Sequence, residues 1–439
     1  MSRTLLKSIL LTTFYISLIF AEIEYRCSDL KRYEIEHHLS TKTPYRVIAN
    51  LDESKFEYPE CKATRIWSVI RHGARNPSKM IIDKAKERLV RIKERILKNT
   101  QTRFCPHEIA MFRFWYFNVS ADEEKFLVAE GEDEQIELAE RMQKRFPHIL
   151  KDTYDPDVYL FKYTATQRTL KSAESFATGL FGRHRIKHIQ YPEALHKDPV
   201  LRFYKLCKRW KSDVDKNPDA LDYVKKFASG PEMRDVVRHI KHRTQLDDIT
   251  QEDAHLMYTI CAFETAWNKH KKASPWCSVF NRKTIQFMEF AEDLQYYWID
   301  GYGFDITHRQ ACPAIIDMFD HIDPHSVHSN ATFYFTHSGT MLKLLAHLGL
   351  YKDKEHLTHK DAAIVRHWRT SAIDAFASNL AFILYECSYE PMVLTLHQER
   401  VVRLPGCPQN QDLCSLREMK QIFRNSIERC NFNEMCDIQ

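Results

Sequence analysis

The sequence predicts an α/β fold in which a mostly parallel β-sheet is flanked by helices. Three segments support this prediction, because each joins a short apolar strand directly to the start of a helix, and strands that alternate with helices form parallel sheets. The chain is also long enough to bury a core, since 44% of its 439 residues are hydrophobic and only 10 are glycine. We therefore expect one or two closely packed domains rather than modules on flexible linkers.

The first of these segments begins with a predicted buried strand over residues 65–70. Residues 71–77, Arg-His-Gly-Ala-Arg-Asn-Pro, follow it at once and are called the signature loop below. They bring two guanidinium groups and an imidazole to the strand end, with a glycine that lets the backbone approach a ligand. Apolar residues then recur at helical spacing from Ile81 to Ile96, which predicts a helix with a solvated basic face.

The second and third segments follow the same plan. Residues 157–163 are predicted as a strand, and a helix starts near Arg168. Residues 331–336 are predicted as a strand, His337 lies just past its end, and the following helix stops at Gly349. Ligands of parallel sheets bind beyond the carboxyl ends of the strands, where helix N-termini favour anions.

Five side chains would meet at that edge of the sheet if the three segments converge: Arg71, His72, Arg75, Arg168 and His337. Arginine donates a planar fork of two hydrogen bonds to a pair of oxygen atoms, so three guanidinium groups beside two imidazoles suit a phosphoryl group. The sequence therefore predicts a site for a phosphate ester.

Composition excludes other classes of ligand. The net charge of +5 arises from 64 Lys and Arg interspersed with 59 Asp and Glu, which is too mild to indicate a nucleic-acid-binding protein. The sequence has no Cys-x-x-Cys pair and no Cys/His cluster with zinc spacing, so we predict no metal site.

The N-terminus is predicted to be a secretory signal peptide over residues 1–21. Arg3 and Lys7 precede an apolar run of about a dozen residues, which is too short to span a bilayer. Asn118 and Asn330 lie in sequons for N-glycosylation, which matter in a secreted chain. We therefore expect a soluble protein that is secreted or resides in the lumen of the secretory pathway, with no membrane anchor once the signal is removed.

The twelve cysteines, an even number, agree with that compartment, because disulfides persist in an oxidising lumen. Cys407 with Cys414, or Cys430 with Cys436, are near enough in sequence to close small loops. Sequence alone does not determine the connectivity.

The motif Arg-His-Gly-x-Arg-x-Pro after a strand is the most specific of these signals. On this motif the chain resembles the histidine acid phosphatase branch of the histidine phosphatase superfamily, and within it the inositol polyphosphate phosphatases. The resemblance extends over nearly all of the mature chain, through residues 38–45, 261–265, 274–277, 301–303 and 377–380.

This resemblance implies roles for the five clustered side chains. His72 is the implied nucleophile, which forms a phosphohistidine that water later hydrolyses. Arg71, Arg75, Arg168 and His337 would hold the phosphoryl oxygens and spread the charge of the transition state. Neither a metal nor another cofactor is implied.

The resemblance also implies a phosphoglycerate-mutase-like α/β core that carries a mostly α-helical cap domain. The core is expected over residues 22–75, 151–185 and 311–439. The cap is expected to consist of two insertions, residues 76–150 and 186–310.

The chain departs from this family at the acid that protonates the leaving alkoxide. The family has His-Ala-Glu or His-Asp there, whereas this chain has His337, Ser338 and Gly339, so the position aligned with the acid carries no side chain. Loss of a general acid typically lowers the rate by about 10²–10⁴-fold. The proton donor is therefore unknown: another acid could replace it, a neighbouring phosphate of the substrate, with a pKa of about 6, could supply the proton, or turnover is lost.

Three functions compete on this evidence. The first is a secreted phosphomonoesterase that hydrolyses inositol polyphosphates such as phytate. The second is a general secreted acid phosphatase, and the third is a pseudoenzyme that binds phosphate ligands without turnover. Retention of the implied nucleophile and of all the phosphate ligands argues against the third, and we expect the first. Two basic stretches, residues 183–188 and 205–211, are either contacts for further phosphates of the substrate or solvated surfaces.

Overall fold

The structure is a computed structural model that describes residues 27–28, 30–269 and 274–437. The predicted signal peptide, residues 1–21, lies outside these described residues. Within them, no helix is both long enough and apolar enough to cross a membrane.

The described chain divides into two compact units. The first, here called the helical unit, comprises residues 27–38, 77–124 and 229–288; the second, the sheet unit, comprises residues 39–76, 125–228 and 289–437. The boundaries of the expected core and cap stay a prediction.

The helical unit is built from helices with short connections. Their bounds are Arg32–Glu36, Lys79–Lys84, Val90–Lys98, Pro106–Phe114, Pro231–Thr244, Gln251–Trp267 and the part of Arg282–Asp300 up to Met288. A π-helical turn, Ala85–Leu89, joins the second helix to the third, so the helix predicted from Ile81 to Ile96 is continuous. Ile82, Leu89, Ile92 and Ile96 on its apolar face are fully buried.

The sheet unit contains one sheet of seven strands. They are β1 (Cys61–Arg71), β2 (Tyr159–Tyr163), β3 (Ala331–Thr336), β4 (Asn379–Cys387), β5 (Pro391–His397), β6 (Arg400–Val401) and β7 (Leu413–Ser415). Their order is β2-β3-β1-β4-β5-β6, and β7 also pairs with β5. Strands β2, β3 and β1 are parallel, and β4 to β7 add antiparallel neighbours. The predicted α/β class is confirmed, but the sheet is mixed rather than mostly parallel, because four of its six strand pairings are antiparallel.

The register of the parallel strands positions the site. Arg71 at the end of β1 pairs with Thr336 at the end of β3, and Tyr163 at the end of β2 pairs with Phe335. The three strands therefore end level with one another. The residues that follow them emerge at one edge of the sheet, as the rule for parallel sheets requires.

Helices cover the sheet. Those of the sheet unit are Ala129–Arg145, Gln167–Phe181, Lys208–Trp210, Asp222–Ala228, the last part of Arg282–Asp300, Asp305–Arg309, Cys312–Ile322, Ser338–His347, Thr370–Ile373, Leu416–Ile422, Arg424–Glu428 and Phe432–Cys436. The ring centroid of Phe176 lies 4.7 Å from that of Phe333 and 5.6 Å from that of Phe335. These contacts fix the helix Gln167–Phe181 on β3, and with it Arg168 in the first turn.

All twelve cysteines are paired. The bridges are Cys27–Cys105, Cys61–Cys387, Cys207–Cys436, Cys261–Cys277, Cys312–Cys430 and Cys407–Cys414. The suggested pairing of Cys407 with Cys414 is confirmed, and that of Cys430 with Cys436 is wrong. The helix Phe432–Cys436 leads away from Cys430, so nearness in sequence does not bring the two sulfur atoms together.

The side chains of Asn118 and Asn330 are exposed, as a glycan acceptor must be. Glycosylation of the two sequons stays a prediction.

Candidate active site

His72 follows β1 directly and is buried. Its backbone N–H donates to the carbonyl of Thr336 over 3.0 Å, and its carbonyl accepts from the N–H of Ala377 over 3.1 Å. Within the side chain, Nδ1 lies 2.9 Å from the carbonyl oxygen of Gly73. A carbonyl only accepts hydrogen bonds, so we assign the proton to Nδ1, which leaves a lone pair on Nε2.

The surroundings of His72 keep the imidazole neutral. Burial and the positive charges of Arg168 and Arg71, with further contributions from His337 and Arg75, hold the pKa of His72 well below its usual value. A neutral imidazole is the form that can act as a nucleophile.

The backbone of the signature loop crosses the helix Ala129–Arg145 at very short range. A Cβ atom on Gly73 would overlap the carbonyl oxygen of Gly131, and a Cβ on Gly131 would overlap that of Ala74. Both positions therefore require glycine. Beside this crossing, the buried carboxylate of Glu134 accepts from the N–H of Ala74 over 2.7 Å and from that of Tyr45 over 2.8 Å.

The guanidinium group of Arg71 is held along one edge. Nη1 donates to the carbonyl of Thr41 over 2.7 Å and to that of Asp374, and the group lies 4.9 Å from the ring centroid of Phe376. The carboxylate of Asp374 forms an ion pair with the same Nη1 at 3.5 Å.

Arg75 and Arg168 bring further positive charge. Nη1 of Arg75 donates to the carbonyl of Asn76 over 2.7 Å. Burial and the like charges of Arg168 and Arg71 lower the pKa of Arg75 to about 9. A bound anion would relieve this repulsion, which is the electrostatic condition for binding phosphate.

His337 precedes the helix Ser338–His347 as its N-cap and is buried. Nη2 of Arg168 donates to His337 Nδ1 over 3.2 Å, so the ring proton lies on Nε2, which donates to Thr164 Oγ1 over 2.9 Å. Burial and the charges of Arg168 and Arg202 hold the pKa of His337 well below its usual value.

The ring centroids of His72 and His337 are 5.6 Å apart. The structure thus brings all five predicted side chains together, while their catalytic and binding roles stay predictions.

Arg202 is a fourth guanidinium group near the site that the sequence did not reveal. It lies in a loop between the two basic stretches, with no strand end or motif to mark it. The stretch 205–211 begins three residues after Arg202, and Lys205 Nζ lies 5.4 Å from the ring centroid of Tyr204. The stretch 183–188 instead follows the far end of the helix Gln167–Phe181, about 20 Å along it from the first turn.

The space beside Gly339 is occupied by another carboxylate. A Cβ atom on Gly339 would lie 3.3 Å from Oδ1 of Asp300 and 3.6 Å from Cζ of Tyr204. Asp300 forms an ion pair with the fully buried Lys343. Ser338 donates from Oγ to the buried carboxylate of Asp374. Sequence reasoning missed both acids, because neither lies within 30 residues of Gly339 and no motif contains them.

Comparison with known proteins agrees with the resemblance. Residues 64–404 match the family described as Histidine phosphatase superfamily (branch 2). The chain is 32% identical over 405 residues to Multiple inositol polyphosphate phosphatase 1 of Drosophila melanogaster, which covers 88% of this chain and 84% of the relative. It is 26% identical over 457 aligned positions to the Homo sapiens protein of the same name, and this alignment covers 94% of this chain and 92% of the relative.

Solved structures share the fold. The phytase from D. castellii superposes with a TM-score of 0.75 at 16% identity, over 92% of this chain and 87% of its own. Multiple inositol polyphosphate phosphatase from Bifidobacterium longum, in complex with inositol hexasulfate, superposes with a TM-score of 0.69 at 16% identity, over 92% and 100% of the two chains. At this identity the likeness concerns the fold alone.

Proposed function

Because the chain belongs to branch 2 of the histidine phosphatase superfamily and is a phosphatase of phosphate monoesters, we propose that it removes phosphate groups from inositol polyphosphates through a phosphohistidine on His72. One observation carries the proposal: a neutral imidazole with its lone pair on Nε2 lies among three guanidinium groups. The names of the relatives support the choice of substrate.

In the proposed first half of the reaction, Nε2 of His72 attacks phosphorus and the ester P–O bond breaks. The leaving alkoxide takes up one proton. The imidazole becomes positively charged as the P–N bond forms, and the Gly73 carbonyl that accepts from Nδ1–H stabilises that charge. Water then attacks phosphorus, the P–N bond breaks, and phosphate leaves with His72 regenerated.

The arginines bind the phosphoryl oxygens in this proposal. Arg71 is fixed along one edge by two backbone carbonyls, so it needs little further ordering when substrate binds. Arg75 and Arg168 repel each other in the free enzyme, and a phosphoryl dianion between them offsets that repulsion in both the bound state and the transition state.

A substrate with several phosphates suits the wider surroundings. Arg202 adds positive charge near His337, and Lys205 Nζ lies 5.4 Å from the ring of Tyr204, whose phenol lies beside Gly339. Phosphates that are not being cleaved would neutralise these groups, whereas an aryl phosphate offers no second anion.

Secretion is part of the proposal. Pairing of all twelve cysteines and the exposure of both sequons support a protein made in the secretory pathway.

The experiment is a phosphate-release assay on inositol hexakisphosphate and on p-nitrophenyl phosphate from pH 4 to 7.5, with EDTA present. We expect a higher kcat/KM on inositol hexakisphosphate and no effect of EDTA. Preference for the aryl ester would indicate a general acid phosphatase instead. Binding of phosphate without turnover of either ester would indicate a pseudoenzyme.

A further inference from the structure

The buried carboxyl group of Asp374 is hydrogen-bonded to Ser338, the residue that follows His337. The side chain of Asp374 is fully buried, and its Oδ2 accepts the hydrogen bond from Ser338 Oγ. Its Oδ1 is buried and has no hydrogen-bond partner among the described residues. Ser338 itself is only half-buried and begins the helix that His337 caps. The hydroxyl of Ser338 therefore links a buried acid to the part of the site where the family's acid is missing.

Asp300 is the other carboxyl group near the vacant position, but it is committed to a different partner. It is paired with Lys343, whose ammonium group is fully buried and lies 4.8 Å from the ring centroid of Tyr204 and 4.2 Å from that of Trp210. Breaking a buried pair of this kind is costly, because it leaves an uncompensated charge in the interior, so Asp300 serves as the counter-ion of Lys343.

We propose that Asp374 is the source of the proton that the missing acid would supply, and that Ser338 transfers it to the leaving alkoxide. This inference rests on the proposed function. When Asp374 is protonated, its Oδ2–H donates to Ser338 Oγ, which leaves the Ser338 O–H to donate to the alkoxide. As the ester P–O bond breaks, the Ser338 O–H bond breaks and a new O–H bond forms on the alkoxide. Ser338 Oγ takes the proton of Asp374, which is left as a carboxylate. When water attacks the phosphohistidine, its proton returns by the same route and Asp374 is protonated again.

The burial of Asp374 favours this role. Burial raises the pKa of Asp374 to about 7, against the opposing effects of the Arg71 charge and of the hydrogen bond from Ser338, and the negative charge of Asp300 acts with burial. The carboxyl group thus holds its proton in mildly acidic solution and loses it as the pH rises through about 7. A donor with a pKa near the working pH is efficient in both directions.

The test compares two classes of ester in Ser338→Ala, Asp374→Asn and the double variant. An alkyl ester such as glycerol 2-phosphate needs a proton on its leaving group, whereas p-nitrophenyl phosphate does not. We expect kcat to fall by at least about 10²-fold on glycerol 2-phosphate and by less than about fivefold on p-nitrophenyl phosphate. The double variant should be no slower than the slower single variant, because the two groups act as one unit.

Asp317→Asn is the matched control. Asp317 is another carboxyl group of the sheet unit with a raised pKa. It accepts a hydrogen bond over 2.8 Å from Nε1 of Trp67, a residue in the middle of β1. Its loss should leave both rates within about twofold of wild type.

The pH profile separates proton supply from a structural role. In the wild type, kcat on glycerol 2-phosphate should fall as the pH rises through about 7, because the protonated form of Asp374 is lost. Asp374→Asn should abolish this dependence.

Equal losses on both esters, or wild-type kinetics on glycerol 2-phosphate in Ser338→Ala, would overturn the relay. Ser338→Ala removes only a hydroxyl, so it decides the question even if Asp374→Asn does not fold. A wild-type protein inactive on every ester would refute the proposed function, whereas an active one with unselective variants refutes the relay alone.

Discussion

Two segments that form the site differ in what holds them: the signature loop after β1, and residues 337–340 after β3, which are the N-cap and first turn of a helix. The signature loop is fixed by the backbone: Gly73 crosses Gly131 with no room for a side chain, and the N–H of His72 is bonded to β3. In the second segment, Ser338 and Gly339 face side chains of other segments. A segment held by backbone atoms cannot change without moving its neighbours, whereas one that meets side chains can be rebuilt by substitutions elsewhere. The segment after β3 is therefore the more open of the two to substitution.

The largest effect should come from His72→Ala. Removal of the nucleophile should lower kcat on inositol hexakisphosphate by about 10⁴–10⁶-fold and abolish labelling of the protein by radioactive substrate in a rapid quench. The backbone bonds of residue 72 persist in this variant, so the protein should stay folded by circular dichroism. His347→Ala, which removes a half-buried histidine bonded to Ser426 elsewhere in the sheet unit, is the control and should keep labelling. Near wild-type turnover in His72→Ala would refute the phosphohistidine mechanism.

Arg168→Ala tests a side chain that is bonded to His337 and whose charge acts on His72 and Arg75. Loss of one forked donor should lower kcat/KM by about 10²–10³-fold, and Arg168→Lys should recover only part of it, since an ammonium group restores charge without the fork. Because Arg168 is the largest charged contributor to the low pKa of His337, that pKa should rise in the Ala variant, as measured by NMR. Unchanged kinetics and an unchanged titration would place Arg168 outside the site.

Glu134→Gln tests the backbone anchoring of the signature loop. The two oxygens of the Glu134 carboxyl group accept from Ala74 and Tyr45, whereas an amide would turn its NH₂ group toward one of these N–H donors. We expect the free energy of unfolding, measured in urea, to fall by about 1–3 kcal/mol. We also expect kcat to fall about tenfold as the signature loop shifts. Glu137→Gln, an exposed carboxylate of the same helix, should change stability by less than about 0.5 kcal/mol. Equal effects of the two substitutions would show that the loop does not depend on Glu134.

The smallest effect is expected for Gly339→Glu, in the first turn of the helix after β3. A new Cβ would lie 3.3 Å from Oδ1 of Asp300, so the added carboxylate meets an existing one. With the proton already supplied, the rate on inositol hexakisphosphate should rise by no more than about threefold, and Gly339→Gln should behave alike. A gain of about tenfold or more on inositol hexakisphosphate with none on p-nitrophenyl phosphate would instead show that the natural chain lacks a proton donor.

Local patterns were sufficient to predict the parallel half of the sheet. The strands predicted at residues 157–163 and 331–336 are β2 and β3, and Gly349, with φ of +74°, ends the last turn after the third segment as predicted. Strands β4 to β7 were not identified. The apolar run in β4 does not distinguish a strand from a buried helix, and its pairing with β1 joins residues more than 300 positions apart.

The residues of the site also fall into those that local sequence patterns predict and those that they do not. The five clustered side chains were predictable because each stands at or just past a strand end, in the signature loop or in a first helical turn, which are positions with a recognisable pattern. Asp374, Asp300 and Arg202 were not predictable, since their importance arises only from which side chains the fold places next to them. Residues that act through such contacts carry no signature of their own.

The position of β1 in the sheet bears on how the protein is made. Both strands that border it in the described sheet, β3 and β4, follow residue 330. During translation the strand that carries the nucleophile therefore leaves the ribosome long before either neighbour has been synthesised, with its apolar faces uncovered. A fragment that ends before Ala331 would contain the whole Arg-His-Gly-x-Arg-x-Pro motif and still lack the strands that hold His72 in place. Transcripts that retain the motif but lose the last quarter of the chain should encode inactive, chaperone-dependent products.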